Sequence, residues 1–324
     1  MSGLFAHTVE LLRARHHVLP PLAVAVAAGL VLPRLLARSR WAREVPGLAL
    51  CAWTALAMLL PMAVSLLAVE SLLPIPASHA LSHLVEDCFL PRGASCDPPS
   101  AGRLASLSPR VWCSLAAGAA VPVALTVAFA RELLGARRRR AEHADGLRLV
   151  AARELALRAT VVPHSTPVVY CLPGRGAQVV VSSGALRVLT RQQLTAVLEH
   201  ERAHLVGRHH LFLCATSALR RVLGVLPLSR HAQEEVPLLL EMAADDRALR
   251  GSSRDALATA LYSLAAGQHP RAAFAAGGSS VVVRMRRILT PRTSGHPVLR
   301  AVLAALVPAA VLIPVVVACC STPV

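Results

Sequence analysis

The stretch VWCSLAAGAAVPVALTVAFARELLGARRRR, residues 111–140, decides the fold class. From Val111 to Ala130 it carries no charged side chain. About 20 apolar residues suffice for a helix to cross a bilayer core, and this run is long enough. Arg131 and then Arg137, Arg138, Arg139 and Arg140 follow at once. Such a run reads as a stop-transfer anchor on anionic lipid and marks the cytoplasmic flank of a span.

Two further stretches match the first, Val45–Val69 and Ala301–Cys320, both without charge. A fourth, Val18–Pro33, is shorter and ends at Arg34, whose stem can snorkel. It reads as a span or as a helix lying along the interface. Arg13 and Arg15 precede it as in a signal peptide, but Pro33-Arg34 stands where a small-residue cleavage site belongs, so it is expected to be retained. Pro61, Pro122, Pro308 and Pro314 fall inside these runs. Bilayer helices tolerate them where neighbours satisfy the freed carbonyls.

Composition agrees. Of 324 residues, 55% are hydrophobic and 16% charged, with mean hydropathy +0.54. Soluble domains average about 25% charged, so a purely soluble enzyme is disfavoured, and disorder is excluded for most of the chain. Net charge is +16 and the pI about 11.3, and all 34 basic residues are Arg. That balance suits nucleic acid, but a nucleic-acid surface wants interleaved aromatics or a recognition helix. Neither is evident, so the partner expected for the Arg residues is the lipid bilayer and no nucleic acid.

Arg placement sets the expected topology. Arg34, Arg38, Arg40 and Arg43 lie on one cytoplasmic linker, and Arg131 and Arg137–Arg140 on another. The loop Pro74–Arg110 balances Arg92, Arg103 and Arg110 against Glu86, Asp87 and Asp97 and belongs outside. With four spans both termini are outside as well. Cys88 and Cys96 sit in that loop, as a disulfide or as two free thiols, while Cys51, Cys113, Cys319 and Cys320 lie in spans and Cys171 and Cys214 on the cytoplasmic side. No cysteine pair has zinc-ribbon spacing.

Three regions follow: 1–130, a membrane region with three spans and an outer loop at 74–110; 131–296, a cytoplasmic domain of single-domain length; and 297–324, the last span and a short tail. Within the domain, Glu142–Leu157 reads as a helix. Pro167–Cys171 and Gln178–Val181 flank the turn at 173–176 as a β-hairpin, closed by Ser182–Gly184. Gln178–Val181 reads either as an edge on which an extended substrate docks or as a plain core strand. Thr190 followed by Gln193 is a capping-box signature, and Leu194, Val197, Leu198 and Leu205 continue at helical spacing.

On that helix lies His200-Glu201-Arg202-Ala203-His204, an HExxH motif. His200 and His204 are one turn apart on one face, so two imidazoles reach one ion. Glu201 is placed to hold and deprotonate the attacking water. Glu241, in an apparent helix Glu234–Arg250, supplies the third ligand, and Asp245, one turn on, accepts from a ligand imidazole. Glu234, Glu235 and Asp246 are weaker alternatives for Glu241. Two His and one Glu leave one position open, which is the catalytic pattern. Tyr262, His231, His269 and Arg287 are candidates for stabilising the oxyanion, with no choice among them. His209 and His210 read as interfacial residues, not ligands, and His164 as a loop residue. Leu211–Leu228 reads as a helix against the membrane or in the core, and Arg284, Arg286 and Arg287 as cytoplasmic anchors.

His200-Glu-x-x-His204 followed by Glu241-x-x-Ala-Asp245 resembles the integral-membrane zinc metallopeptidases of the gluzincin clan. Two branches are similar, the HtpX-like and CAAX-prenyl-protease-like branch and the BlaR/MecR-type branch. The second has four spans with the peptidase between the third and fourth, as inferred here. The resemblance covers mainly residues 160–290. It implies an α-helical multi-pass membrane protein with an inserted α+β zincin domain, one Zn2+, and a protein substrate. That substrate is a transcriptional repressor or other regulator in the second branch, and a misfolded membrane protein in the first. BlaR-type receptors carry a large extracellular sensor after the last span, whereas four residues follow Cys320 here, so β-lactam sensing is not implied. A reading of another class is a non-catalytic basic membrane adaptor, which would hold no stoichiometric zinc.

Overall fold

The computed structural model describes residues 18–72, 108–174, 176–267, 278–290, 301–302 and 305. Nearly all of the last expected span and of the outer loop, with Cys88 and Cys96, and His269 lie outside them. Among the described residues, three helices are long and apolar enough to cross a membrane: α1 (Val18–Arg38), α3 (Pro46–Leu72) and α4 (Pro109–Val150). A short α2 (Arg40–Glu44) joins the first two. The stretch expected to be short, Val18–Pro33, is thus part of a 21-residue helix. One π-turn, Ala27–Val31, interrupts α1 just before Pro33. Proline lacks the N–H of a regular helix and its ring crowds the carbonyl four residues back, and a π-turn there absorbs the mismatch.

α4 corrects the sequence reading at 142–157. The helix runs without a break for 42 residues, from the apolar stretch through Arg137–Arg140 to Val150. Ala, Leu, Arg and Glu, all strong helix formers, dominate its second half. At about 1.5 Å per residue it is about 63 Å long, twice the thickness of a hydrocarbon core. Gly118 sets the approach of α4 to α3: a Cβ there would lie 2.8 Å from Val69 Cγ2 and 3.2 Å from the Ser65 carbonyl oxygen. Small residues permit such close packing in lipid.

After α4 come β1 (Ala152–Glu154), β2 (Ala159–Val162), β3 (Val169–Leu172) and β4 (Gln178–Ser182). They form a sheet of order β1-β2-β4-β3. β3 and β4 are the expected antiparallel hairpin, with Tyr170 opposite Val180. β4 also pairs in parallel with β2, Thr160 opposite Val180. The edge reading of Gln178–Val181 is therefore corrected. β4 is interior, its backbone groups taken by strands on both sides, and Val179, Val180 and Val181 are buried. An unbroken Val run is what a strand covered on both faces requires. The outer strand beside it is β3, half-buried along its length.

Ser182 then caps α5 (Ser183–Val188), and Thr190 caps α6 (Arg191–Val206). The capping box is complete: Gln193 N–H donates to Thr190 Oγ1 and Thr190 N–H to Gln193 Oε1. Leu194, Val197 and Leu198 of α6 pack on Val179 and Val181 of β4. There follow α7 (His209–Val222), α8 (Pro227–Ala248), α9 (Arg254–Gly267) and α10 (Gly278–Leu289). α7 packs on α4 and α8, and Arg221 Nε donates to Glu132 Oε1 of α4 at 3.1 Å. α8 begins well before Glu234, with Pro227 in its first turn, where the missing N–H costs nothing. Leu228, Ala232, Val236, Leu239 and Leu240 of α8 share one core with Leu36 of α1 and Leu50, Trp53, Leu56 and Leu60 of α3. The segment after residue 131 is thus fused to the apolar helices through α8.

Candidate metal centre

α6 lies between the sheet and α8, and it turns His200 and His204 toward α8. α8 answers with Glu241 and, one turn later, Asp245. His200 Nε2 is 3.1 Å from His204 Nε2 and 3.4 Å from Glu241 Oε2. His204 Nε2 is 3.4 Å from Glu241 Oε1. The three residues each offer one donor atom, and those atoms lie within 4.8 Å of one another. A tetrahedral site with ligand bonds of 2.0–2.1 Å has edges of about 3.3 Å. Donor separations of 3.1 to 3.4 Å match that edge, so the side chains present fit a single zinc ion.

Buried charges of both signs shift every titratable group at this point. Burial pushes the Glu241 carboxyl up, but His200 and the Arg284 guanidinium outweigh it and hold it down at about 2. Burial pushes the His200 imidazolium down, yet the carboxylates of Asp245 and Glu241 raise it to about 9. His204, half-buried and without a carboxylate on Nδ1, is pushed down to about 4 by its loss of solvent. Asp245 is fully buried, with Oδ1 3.0 Å from His200 Nδ1. Despite its burial it is held below the usual carboxylate range by Arg284 and His200.

Glu201 follows His200 and faces the same space from the sheet side. Burial raises its carboxyl above the ordinary value, with Glu241 adding to the shift and His200 opposing it. The Cys171 thiol of β3 lies beside it. A carboxylate poised closer to neutrality is suited to taking a proton. Burial, together with the Glu201 charge, pushes the Cys171 thiol up to about 12.

Arg284 was not foreseen. Expected as a membrane anchor, it is buried, with Nη1 2.7 Å from Glu241 Oε2 and Nη2 2.7 Å from Asp245 Oδ1. It lies on α10 close to Arg286 and Arg287, and no local signal separates it from them; Arg287 too is corrected, its side chain 11% exposed and paired with Asp246. His209 is likewise corrected. It is buried, not interfacial, and its Nδ1 is 2.8 Å from His204 Nδ1. His210 is half-buried beside Arg137, Arg140 and Arg208.

The oxyanion candidates among the described residues stand elsewhere. Arg287 is held by Asp246 at 2.8 Å and by the Arg43 carbonyl at 2.7 Å. Asp246 is thereby paired, not a solvated neighbour. Tyr262 is 63% exposed, and His231 lies 3.6 Å from Glu234, well before Glu241 on α8. Glu234 and Glu235 lie about two helical turns from Glu241 and outside the donor group. His164 lies in the loop before β3, as expected.

The profile of Peptidase family M48 matches residues 136–235, less than a third of the chain. The matched segment takes in the sheet and α6 with its HExxH motif, and it stops short of Glu241. The match points to a metallopeptidase of the zincin type. No curated protein and no solved structure matches significantly.

Proposed function

We propose that this chain is a multi-pass membrane zinc metalloendopeptidase that hydrolyses a protein substrate at the cytoplasmic face of the bilayer. The observation that carries the reading is the convergence of His200, His204 and Glu241 within 4.8 Å, beside Glu201. The family match over 136–235 supports it. His200, His204 and Glu241 would hold one zinc ion, which when bound polarises the scissile carbonyl and acidifies water. Glu201 takes the proton of the attacking water and returns it to the leaving amine. Asp245, with Oδ1 3.0 Å from His200 Nδ1, orients that ring by its charge. Arg284 offsets the charges of Glu241 and Asp245 and keeps both carboxylates in place. An extended substrate added to β3 runs past Cys171 and so past Glu201. The cytoplasmic side follows from the Arg residues of the linkers. The substrate is a regulator, a transcriptional repressor included, or a membrane protein that reaches the site beside the lipid.

Metal analysis of the purified protein, paired with cleavage of an unfolded protein substrate, tests the reading. One zinc per chain is expected. Glu201→Gln is expected to keep the zinc and lose cleavage by 10²-fold or more, roughly the scale of a lost general base. Absence of stoichiometric zinc, or full cleavage by Glu201→Gln, would defeat it and favour the adaptor.

A further inference from the structure

An imidazole that offers Nε2 to a metal carries its proton on Nδ1, and that N–H needs an acceptor to fix the tautomer and the ring angle. For His200 the carboxylate that faces Nδ1 is that of Asp245, with Oδ1 at 3.0 Å. For His204 no carboxylate or carbonyl among the described residues takes this place. Its Nδ1 meets instead the Nδ1 of His209 at 2.8 Å. The rings stand edge to face, centroids 4.6 Å apart and planes at 85°. A nitrogen–nitrogen contact this short holds one proton: two would collide, and none would oppose two lone pairs. With His204 Nε2 turned to His200 and Glu241, the shared proton belongs on His204 Nδ1. His209 Nδ1 is then the acceptor, and its own proton sits on Nε2.

Three local features bring His209 there. α6 ends at Gly207, and Arg208 adopts the left-handed conformation, φ 48°, ψ 39°. A side chain in that region is strained, because its Cβ crowds the following carbonyl oxygen. The reversal folds His209, the first residue of α7, back onto the last turn of α6. Gly207 makes the room, since a Cβ at that position would collide with Nε2 and Cδ2 of the His209 ring. Contact, strained turn and absent side chain all serve one ring, which ends 8% exposed.

We propose that His209 is a positioning residue of the metal centre. It accepts the Nδ1–H of His204 and so sets the tautomer and angle at which His204 Nε2 meets the cation. The identity of that cation as zinc rests on the function proposed above.

The test uses the full chain in detergent, with zinc affinity measured by chelator competition and the site read by the visible spectrum of the cobalt-loaded protein. His209→Phe keeps a ring but has no acceptor; His209→Gln restores one. His209→Phe is expected to weaken zinc binding by about 10- to 100-fold and to shift the cobalt bands. His209→Gln is expected to recover most of both. Wild-type affinity and spectrum in His209→Phe, or equal losses in both variants, overturn the proposal. Should His209→Phe fail to fold, nitrogen-15 spectra of the histidine-labelled wild type decide. A proton on His204 Nδ1 and none on His209 Nδ1 supports it, and the reverse overturns it. A wild type that binds no zinc sinks the metallopeptidase reading itself, whereas zinc in the wild type with an indifferent His209→Phe sinks this inference alone.

Discussion

Arg284 grips Asp245 from 39 residues away, Nη2 to Oδ1 at 2.7 Å and Nε to Oδ2 at 2.9 Å. Both side chains are shut off from solvent, 8% and 0% exposed. Breaking such a pair from one side leaves a charge stranded in a medium that cannot solvate it, at about 3–5 kcal/mol. Arg284→Met should therefore lower the unfolding free energy of the purified protein by that order, read as a lower denaturant midpoint. Arg284→Lys keeps the charge but loses the two-pronged geometry and should fall between the two. Equal midpoints for wild type and Arg284→Met would show that the pair contributes nothing.

Cys171 reports on Glu201. The thiol, pushed up to about 12 by burial and by the neighbouring carboxylate, is almost wholly protonated at pH 8. Because the thiolate is the reacting species, alkylation at pH 8 should be slow compared with an ordinary cysteine. Glu201→Gln removes the negative charge, lowers the thiol pKa and should speed the labelling of Cys171, read by peptide mass spectrometry. Unchanged labelling would separate the two side chains.

Gly118→Val should drive α3 and α4 apart. The new Cβ meets Val69 Cγ2 at 2.8 Å and a backbone oxygen at 3.2 Å, and a backbone cannot swing aside as a side chain does. Overpacking of this kind costs about 1–3 kcal/mol. A lower thermal midpoint in detergent is the expected result, and a midpoint equal to wild type would contradict the close approach.

Ser182 joins strand, loop and helix through one hydroxyl. Its Oγ accepts from Val168 N–H and Ala185 N–H, both at 3.0 Å, and donates to the Thr166 carbonyl at 2.8 Å. Ser182→Ala strands these groups in a fully buried place and should cost about 1–3 kcal/mol. Denaturant unfolding checks it, with Ser183→Ala, whose hydroxyl is exposed and makes one bond at 3.1 Å, as the mild comparison.

What the sequence made legible was local. The capping box at Thr190, the hairpin about residues 173–176 and the paired positions His200/His204 and Glu241/Asp245 all depend on spacings within one element. The parts it hid depend on distant pairing. β1 and β2 are too short for a period to register, and β4 becomes interior only because β2, from before its hairpin partner β3, joins its other side. Arg284 looked like its neighbours Arg286 and Arg287 because nothing near it in the chain betrays that Asp245 lies across the fold. His209 was hidden by backbone geometry: a left-handed turn at an arginine carries no sequence signature, although the glycine before it was a clue.

The core that α8 shares with α1 and α3 has a practical bearing on how the half carrying the candidate site can be handled. A fragment cut out at residue 131 would keep the metal helix and the sheet, yet it would uncover Leu228, Leu239 and Leu240, each 2% exposed or less in the intact chain. Removing a leucine from water is worth about 2 kcal/mol, so the severed half would carry a sticky flank in place of its hydrophobic seat. It would clump or unfold before it could be assayed, and the apolar helices α1 and α3 act as its internal chaperone.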